Sequence, residues 1–506
     1  MFTIKGKTGD WELVIGLETH IEVLSNSKLF SGASADYNPT VSPNTQVSMV
    51  DVAMPGMLPV LNEYCVEQAI KFGLGINAEI SKVSRFARKQ YFYPDLPQGY
   101  QISQPADEPP IVGRGWVEIL DDDRNPKKIF IERAHMEQDA AKNKHDVHPT
   151  KSFVDFNRTG VMLLEIVTFL DTKNPENNSY ISSPDEAERY LRAIREIARA
   201  LGVSKANMEE GSMRADVNVS VRRVGETTFR TRTETKNMVS FKFIKTAIEY
   251  EARRQIEIYE NGGTVSQDTM RFHQDDGTTS VARSKEDALD YRYFPDPDLL
   301  PLIVSDEMIE RIRSTMPELP SATRARYTAE FGLSEYDAAR LTETTDISHW
   351  FDTAVNGDKK RAKAIANWMI SELFAHPENW DVKNEKSGIV DGMRIITPSD
   401  LSELVDMIAA NEINGKQAKE IFIKMLDGES GTPREIADKF GMKQITDTGA
   451  IESAIDAVIA ANPAQVEQYK SGKTGLLGFF VGAVMKSTGG KANPAVVNEI
   501  LRKKLS

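Results

Sequence analysis

The stretch Trp11–Val23, WELVIGLETHIEV, sets Glu18, His20 and Glu22 at alternate positions, with Leu17, Thr19, Ile21 and Val23 on the opposite parity. A strand sends successive side chains to opposite faces, so this run predicts one packed face and one face presenting carboxylate, imidazole, carboxylate. The outer face of a half-buried strand ordinarily carries Lys, Thr or Ser. Two acids around a histidine point instead to something cationic, most simply a metal ion. Taken alone, a solvated acidic face would show the same pattern.

The pattern recurs. IERAHMEQD places His135, Glu137 and Asp139 at the same spacing, and ADVNVSVR alternates Asp216, Asn218, Ser220 and Arg222 against Val217, Val219 and Val221. TRTETKN alternates Arg232, Glu234 and Lys236 against threonines. Four strand-like runs that each show acids and bases on one face predict a shared polar cleft lined by sheet. Oxygen-rich ligands suit magnesium there, and lysines and arginines beside them suit phosphates.

With 506 residues, 40% of them hydrophobic, the chain is expected to form two to four domains with real cores. Its longest apolar run, GLLGFFVGAVM from Gly475 to Met485, is too short to span a bilayer and reads as a buried helix. No charged-then-apolar leader is visible, and the single Cys65 excludes an internal disulfide and a cysteine zinc cluster. A cytoplasmic address without membrane association is the expectation. The net charge of -13 argues against a general nucleic-acid binder. From Glu467 to the end, however, two acids face seven bases, a local +5 that suits a phosphate backbone or an ordinary basic helical terminus.

Up to about residue 298 strand-like runs mix with well-punctuated helices. SPDEAERYLRAIREIARALG has Ser183 as N-cap, Pro184 at the first helical position, Glu186 completing a capping box and Gly202 as the stop. A second helix is expected from about Phe241 to Tyr259, ending at Gly262 and Gly263. After Pro295, Pro297 and Pro301 strand signals nearly vanish, and Ile365, Trp368, Met369 and Leu373 share a helical face. New starts at TPSD (397–400) and TPRE (432–435) are capping-box-like. The expected division is therefore a sheet-rich domain over 1–298, a helical domain over 299–400 and a small helical tail over 401–506.

Familiar phosphate and hydrolase signatures fail. SGKT at 471–474 would need a glycine where Glu467 stands, and GLGINA at 73–78 follows a helical pattern and reads as a helix stop. No Gly-x-Ser-x-Gly or Gly/Ser-rich amidase loop occurs, so any ammonia-releasing step requires another polypeptide.

The strings VIGLETHIEV, SKLF (27–30), YFYPDLPQGYQISQ (91–104), HMEQDAAK (135–142), VDFNRTGVMLLEIV (154–167), NMEEGSMRADVNVSVR (207–222), TETKNMVSF (233–241) and RSKEDALDYRYFPDPDL (283–299) resemble a known set. In this order they are similar to the signature blocks of the GatB/GatE family, the B subunits of tRNA-dependent aspartyl/glutamyl amidotransferases. The terminal VGAVMKSTGGKANPAVVNEIL resembles that family's tail domain.

The resemblance implies an α+β chain: an N-terminal cradle with mixed and antiparallel sheets, an all-helical domain and a small helical tail. It implies ATP- and Mg2+-dependent phosphorylation of the side-chain carboxylate of Glu-tRNA(Gln) or Asp-tRNA(Asn), within a complex whose other members are the amidase (A) and the small (C) subunits. Ammonia from the amidase then gives the amide. The alternative is a non-catalytic tRNA-binding or assembly subunit.

Carried over residue by residue, the metal and kinase-site positions fall on Glu18, His20, Glu137, Asp216 and Glu234, with Glu18, His20, Glu137 and Glu234 as metal ligands. Arg214, Arg232 and Lys236 are candidates for the ATP phosphates, and Lys470, Lys473, Lys486 and Lys491 for tRNA. The chain departs from the family at Gln138, where a second glutamate is usual, at Ala141 and Ala215, and in the longer TFLDTKNPENNSYISSPDEA region. Gln138 is expected to point away from the face of Glu137.

Overall fold

The alternation around Glu18 and His20 yields a long strand at the centre of a sheet. The structure is a computed structural model that describes all residues except 1, 37–39, 106, 146, 172–178, 285–290, 381–388, 391–392, 443–447, 490 and 506. Parts of RSKEDALDYRYFPDPDL and of the long TFLDTKNPENNSYISSPDEA region thus lie outside the described residues.

In chain order the first strands are β1 (Ile4–Lys5), β2 (Asp10–Glu22), β3 (Val83–Ser84), β4 (Ala87–Gln90), β5 (Tyr100–Ser103), β6 (Gly115–Leu120) and β7 (Pro126–Gln138). There follow β8 (Lys142–Lys144), β9 (Phe153–Asp155), β10 (Met162–Thr168), β11 (Met213–Arg223), β12 (Thr233–Lys236), β13 (Asp268–Phe272), β14 (Thr279–Ser284) and β15 (Phe294–Pro295). Among the described residues the large sheet has the order β14-β13-β12-β11-β2-β10-β7-β5-β4-β15, with β1 on β2 and β6 on β7. Its pairings are antiparallel except β12 with β13. An antiparallel sheet can leave one face polar, and this one does so at its centre.

Leu13, Ile15, Leu17 and Ile21 of β2 share a core with side chains of the helices α1 (Glu63–Gly75), α2 (Pro184–Ala200) and α3 (Phe241–Glu260). Burying one large aliphatic side chain is worth about 1.5–3 kcal/mol, which sets the register: a one-residue slip would turn the acids of β2 into this core. At the start of β2 the polar face closes over a buried ion pair, Arg222 Nε to Glu12 Oε1 at 2.6 Å.

Local signals act as expected, with one exception. Ser183 caps α2 through the Glu186 amide and Gly202 follows its end at φ +67°. The capping box is incomplete, because the Glu186 carboxylate accepts from the Ser182 amide and from Lys127 Nζ. The last turn of α1 holds Gly73 and Gly75, where a Cβ would lie 2.7 Å from Ile80 and 2.6 Å from Leu201. The helix ends at Gly75 with Ile76 as its C-cap, so GLGINA is the helix stop expected, and its glycines also permit this close packing.

The chain forms two compact units, Met1–Leu319 and Pro320–Ser506. The first continues beyond 298 because Ile309 and Ile312, on the helix Asp306–Ser314, join its core. In the second unit the expected border at 400 falls inside the helix Pro398–Ala409, whose Leu401, Leu404 and Val405 share a core with Trp350, Phe351 and Ile365. The capping boxes at Thr397 and Thr432 do form, but a cap marks where a helix begins, not where a core ends. A separate core gathers Ile451, Ile455, Phe480, Val484 and Leu501. The apolar run Gly475–Met485 is not a fully buried helix. Phe480 and Val484 are buried on Leu477–Ser487, while Phe479, Gly478 and Gly482 are not. No helix among the described residues is long and apolar enough to cross a membrane.

Candidate active site

Register builds the site. Directly opposed residues share a face, and the pairings put Arg214 of β11, His20 of β2, Glu165 of β10 and His135 of β7 in one row across four strands. One step along, Asp216 and Glu18 are opposed; on the other side, Leu163 lies between Glu22 and Glu137. Neighbouring strands lie about 4.8 Å apart, so side chains in such rows reach one another.

His20 Nε2 is 3.3 Å from Glu137 Oε1, 3.4 Å from Glu165 Oε2 and 4.0 Å from Glu18 Oε1. His135 Nε2 is 3.5 Å from Glu165 Oε2 and 3.9 Å from Glu137 Oε2. Arg133 Nε donates to His135 Nδ1 at 3.4 Å, which leaves the Nε2 side of that ring for the carboxylates. Two sets, Glu18 with His20 and Glu165, and His135 with Glu137 and Glu165, hold ligand atoms within 4.8 Å of one another.

The electrostatics follow from burial and proximity. Burial works against a charged His20, yet its hydrogen bonds to Glu137 and Glu165 hold its pKa well above the usual value. Burial, followed by the charge of Glu165, pushes Glu18 up to about 7. Burial also disfavours ionised Glu165, but His135 and His20 outweigh it and hold this carboxyl below the usual range. The ion-free cluster is thus a set of carboxylates neutralised by protons on imidazole and on Glu18. A cation could take that role, and three carboxylates with two imidazoles fit one.

Around the cluster a cavity of about 470 Å³ is lined by Glu18, Lys89, Arg133, Lys236, Tyr291 and Tyr293, among others. Lys236 Nζ lies 2.6 Å from Asp216 Oδ2 and 3.3 Å from Glu234 Oε1, and although burial works against it, those acids raise its pKa. Lys89 keeps its proton against burial through Tyr293, Glu137 and Glu165. These cations are held charged at the cavity wall.

The structure brings Glu18, His20 and Glu137 together and sets Asp216 and Glu234 beside them around Lys236. Glu234 lies outside both candidate ligand sets and accepts from Thr269 Oγ1 at 3.2 Å. Arg214 turns to Asp139, 3.4 Å away, and Arg232 stands just before β12. Gln138 pairs with Met162 in regular register, on the face away from Glu137, since the irregularity of β10 against β7 comes only at Val167/Thr168. Its side-chain amide nitrogen is buried without a hydrogen-bond partner.

Sequence reasoning missed Glu165, Lys89, Arg133 and the two tyrosines as site residues. For Glu165 a signal existed: it is the one acid in the apolar run Met162–Val167. None of Lys470, Lys473, Lys486 and Lys491 is buried.

Residues 13–310 match the model of the GatB/GatE catalytic domain, and residues 349–505 that of the GatB domain. The chain is 52% identical over 515 residues to the B subunit of an aspartyl/glutamyl-tRNA(Asn/Gln) amidotransferase of Novosphingobium aromaticivorans, covering 100% of this chain and 99% of that protein. It is 50% identical over 506 residues to the corresponding protein of Paramagnetospirillum magneticum, with 100% and 99% covered, and 51% identical over 504 residues to that of Acidiphilium cryptum, with the same coverage.

Proposed function

Because this chain belongs to the GatB/GatE family, we propose that it is a tRNA-dependent amidotransferase subunit whose cluster activates a tRNA-borne side-chain carboxylate with ATP. The observation that supports this reading most is the meeting of Glu18, His20, Glu137 and Glu165 beside a cavity walled by Lys89, Arg133 and Lys236. Phosphoryl transfer needs positioning and charge stabilisation more than covalent help from the protein.

Glu18, His20, Glu165 and Glu137 are the residues that would hold Mg2+, with Glu234 facing the same cavity. When bound, the ion would neutralise phosphate oxygens and draw charge from the transferring group. Lys236 and Lys89, held protonated, bind and orient the phosphates of ATP. Arg133 fixes the His135 ring and so keeps Nε2 on Glu165. The attacking group is the carboxylate of the aminoacyl substrate. It takes the γ-phosphoryl group as the bond to ADP breaks, and ammonia then displaces phosphate to give the amide.

Cys65 is buried and its thiol is pushed up to about 11 by burial, which suits a structural role. The resemblance assigns the supply of ammonia to the amidase (A) member of the complex, with the small (C) member completing it. The test uses the reconstituted complex with hydroxylamine as trap. Glutamyl- or aspartyl-hydroxamate should form only with ATP, a divalent cation and the misacylated tRNA together. Tight tRNA binding without any hydroxamate or ATP turnover would leave a tRNA-binding assembly subunit instead.

A further inference from the structure

Among the described residues the exposed methionines are Met49, Met54 and Met57, which are 62%, 50% and 45% exposed and share one loop. Met136, Met162, Met213, Met270, Met369 and Met425 are by contrast at most 1% exposed. A buried methionine fills gaps in a core, whereas three thioethers gathered in water do no such packing. We propose that Met49, Met54 and Met57 form a modification site for peroxides, which convert them reversibly to methionine sulfoxide while the fold persists. None of the three lines the cavity beside the carboxylate–imidazole cluster, so the site does not depend on the chemistry there.

The loop holds these methionines in place without using their side chains. Between β2 and α1 the described residues form neither helix nor strand. Lys28, fully buried, donates instead to the Gln46 carbonyl at 2.7 Å, to Asp51 Oδ2 at 3.0 Å and to the Phe156 carbonyl at 3.3 Å. Asp51 also accepts from Ser31 Oγ at 3.0 Å and from the Ser48 amide at 2.8 Å. The backbone then passes through successive turns, with the Met54 amide donating to the Met49 carbonyl at 2.9 Å and the Met57 amide to the Met54 carbonyl at 3.2 Å. The anchors are polar and buried while the thioethers stand in solvent, so an added oxygen meets water. In a core the same oxygen would be buried without a donor, which is how a sulfoxide disrupts packed methionines.

The reaction balances without help from the protein. A thioether lone pair attacks one oxygen of hydrogen peroxide, the O–O bond breaks as the S–O bond forms, and the departing hydroxide takes up a proton to leave as water. Sulfur loses two electrons and the peroxide gains them. A thioether has no proton to lose, so its reactivity does not wait on pH. Cys65 does not compete, because it is buried and its thiol is pushed up to about 11, which keeps thiolate scarce. Exposure opens the reverse step as well: a methionine sulfoxide reductase removes the oxygen as water while a dithiol becomes a disulfide.

The test treats the full chain, alone and in its reconstituted complex, with graded hydrogen peroxide and locates added oxygen by peptide mass spectrometry. One oxygen should appear on each of Met49, Met54 and Met57 at doses that leave Met136, Met162 and Met270 as thioethers, in chain and complex alike. The melting temperature should stay that of untreated protein, and a methionine sulfoxide reductase with dithiothreitol should restore all three thioethers. Met49→Leu, Met54→Leu and Met57→Leu together should abolish this first uptake of oxygen and leave melting unchanged. Oxidation of the core methionines at the same doses overturns the inference, as does a melting temperature that falls while the three are oxidised. Protection of the loop in the complex overturns it too, because a partner then covers the patch, and so does a sulfoxide that the reductase cannot remove.

Discussion

The Glu137 and Glu165 side chains are 4% and 11% exposed between two histidines, whereas Lys470, Lys473, Lys486 and Lys491 lie towards solvent on the tail. Both regions concentrate charge, but the sheet holds it at a cost. Each desolvated ion loses several kcal/mol of hydration and must recover it from fixed partners. The sheet supplies these by register, so the positions of the charges are set to within one hydrogen bond. Solvated lysines carry no such penalty, and their attraction for a phosphate backbone is loose, additive and screened by salt. One arrangement suits chemistry on a fixed group and the other a grip on a mobile polyanion.

The largest break in that contrast should come from the centre of the cluster. Glu165→Gln keeps the shape but removes the charge that both histidines face. Hydroxamate formation should fall about a hundred- to a thousandfold, the scale of removing one pre-arranged charge interaction from a transition state. The partner's glutaminase should remain measurable. A loss of only a few-fold would show that Glu165 merely balances the histidines.

A buried acid away from the cleft should behave differently. Glu251 is fully buried on α3 and accepts from Thr233 Oγ1 at 2.7 Å, Thr279 Oγ1 at 2.9 Å and Arg254 at 2.6 Å. Glu251→Ala leaves these donors without their acceptor and should lower unfolding free energy by about 2–3 kcal/mol in denaturant titrations. At temperatures where it is folded, its hydroxamate kcat should match wild type. A stable Glu251→Ala with lost activity would extend the functional cluster to α3.

How much of this could be read beforehand depended on what kind of information each residue carries. Alternation along Trp11–Val23 marked the polar face, because period 2 is local. Glu165 was hidden because its neighbours are apolar on both parities: β10 sits between β2 and β7, packed on one side and facing the cluster on the other. The border expected at 400 had a similar origin, since a real capping box there starts a helix that belongs to the preceding core.

A pH series sharpens the comparison from the side of the sheet. Glu18, raised to about 7 from 4.5, is stabilised in its protonated form. Its contribution to the stability of ion-free protein is complete below pH 4.5 and is lost as pH rises through 7. His20, also raised, acts in the same direction at higher pH. A cation must displace the Glu18 and His20 protons, so divalent-cation affinity should run the opposite way, rising with pH through about 7 and continuing to rise above it as His20 gives up its proton. Melting curves and calorimetric titrations should show both trends, and Glu18→Gln should flatten them. Cation affinity independent of pH across this range would remove Glu18 from the ligand set.

The smallest effect belongs to the tail. Replacing Lys470, Lys473, Lys486 and Lys491 by Gln should weaken tRNA binding modestly at physiological salt. The log–log salt slope should fall by about 0.7–0.9 for each phosphate no longer neutralised. Deleting residues from 448 onward removes the separate core that carries them and should flatten the slope further, with cation binding in the first unit retained. An unchanged slope in both variants would leave the basic terminus as a solvated helical surface.

By itself the sequence determined the α+β class, the polar parity of β2, the helix caps and the absence of a disulfide. The parity and the caps depend on residues within a few positions of one another, where backbone geometry and side-chain type leave few alternatives, whereas the disulfide is excluded by the single cysteine and the α+β class follows from the family resemblance. Tertiary structure alone decided that Glu165 is the shared partner of His20 and His135 and that a cavity walled by Lys89, Arg133 and Lys236 opens beside them. Those facts rest on strand order. β10, from residues 162–168, inserts between strands that begin at residues 10 and 126. No local periodicity specifies which distant strand becomes a neighbour; burial of the opposite face beneath α1, α2 and α3 does.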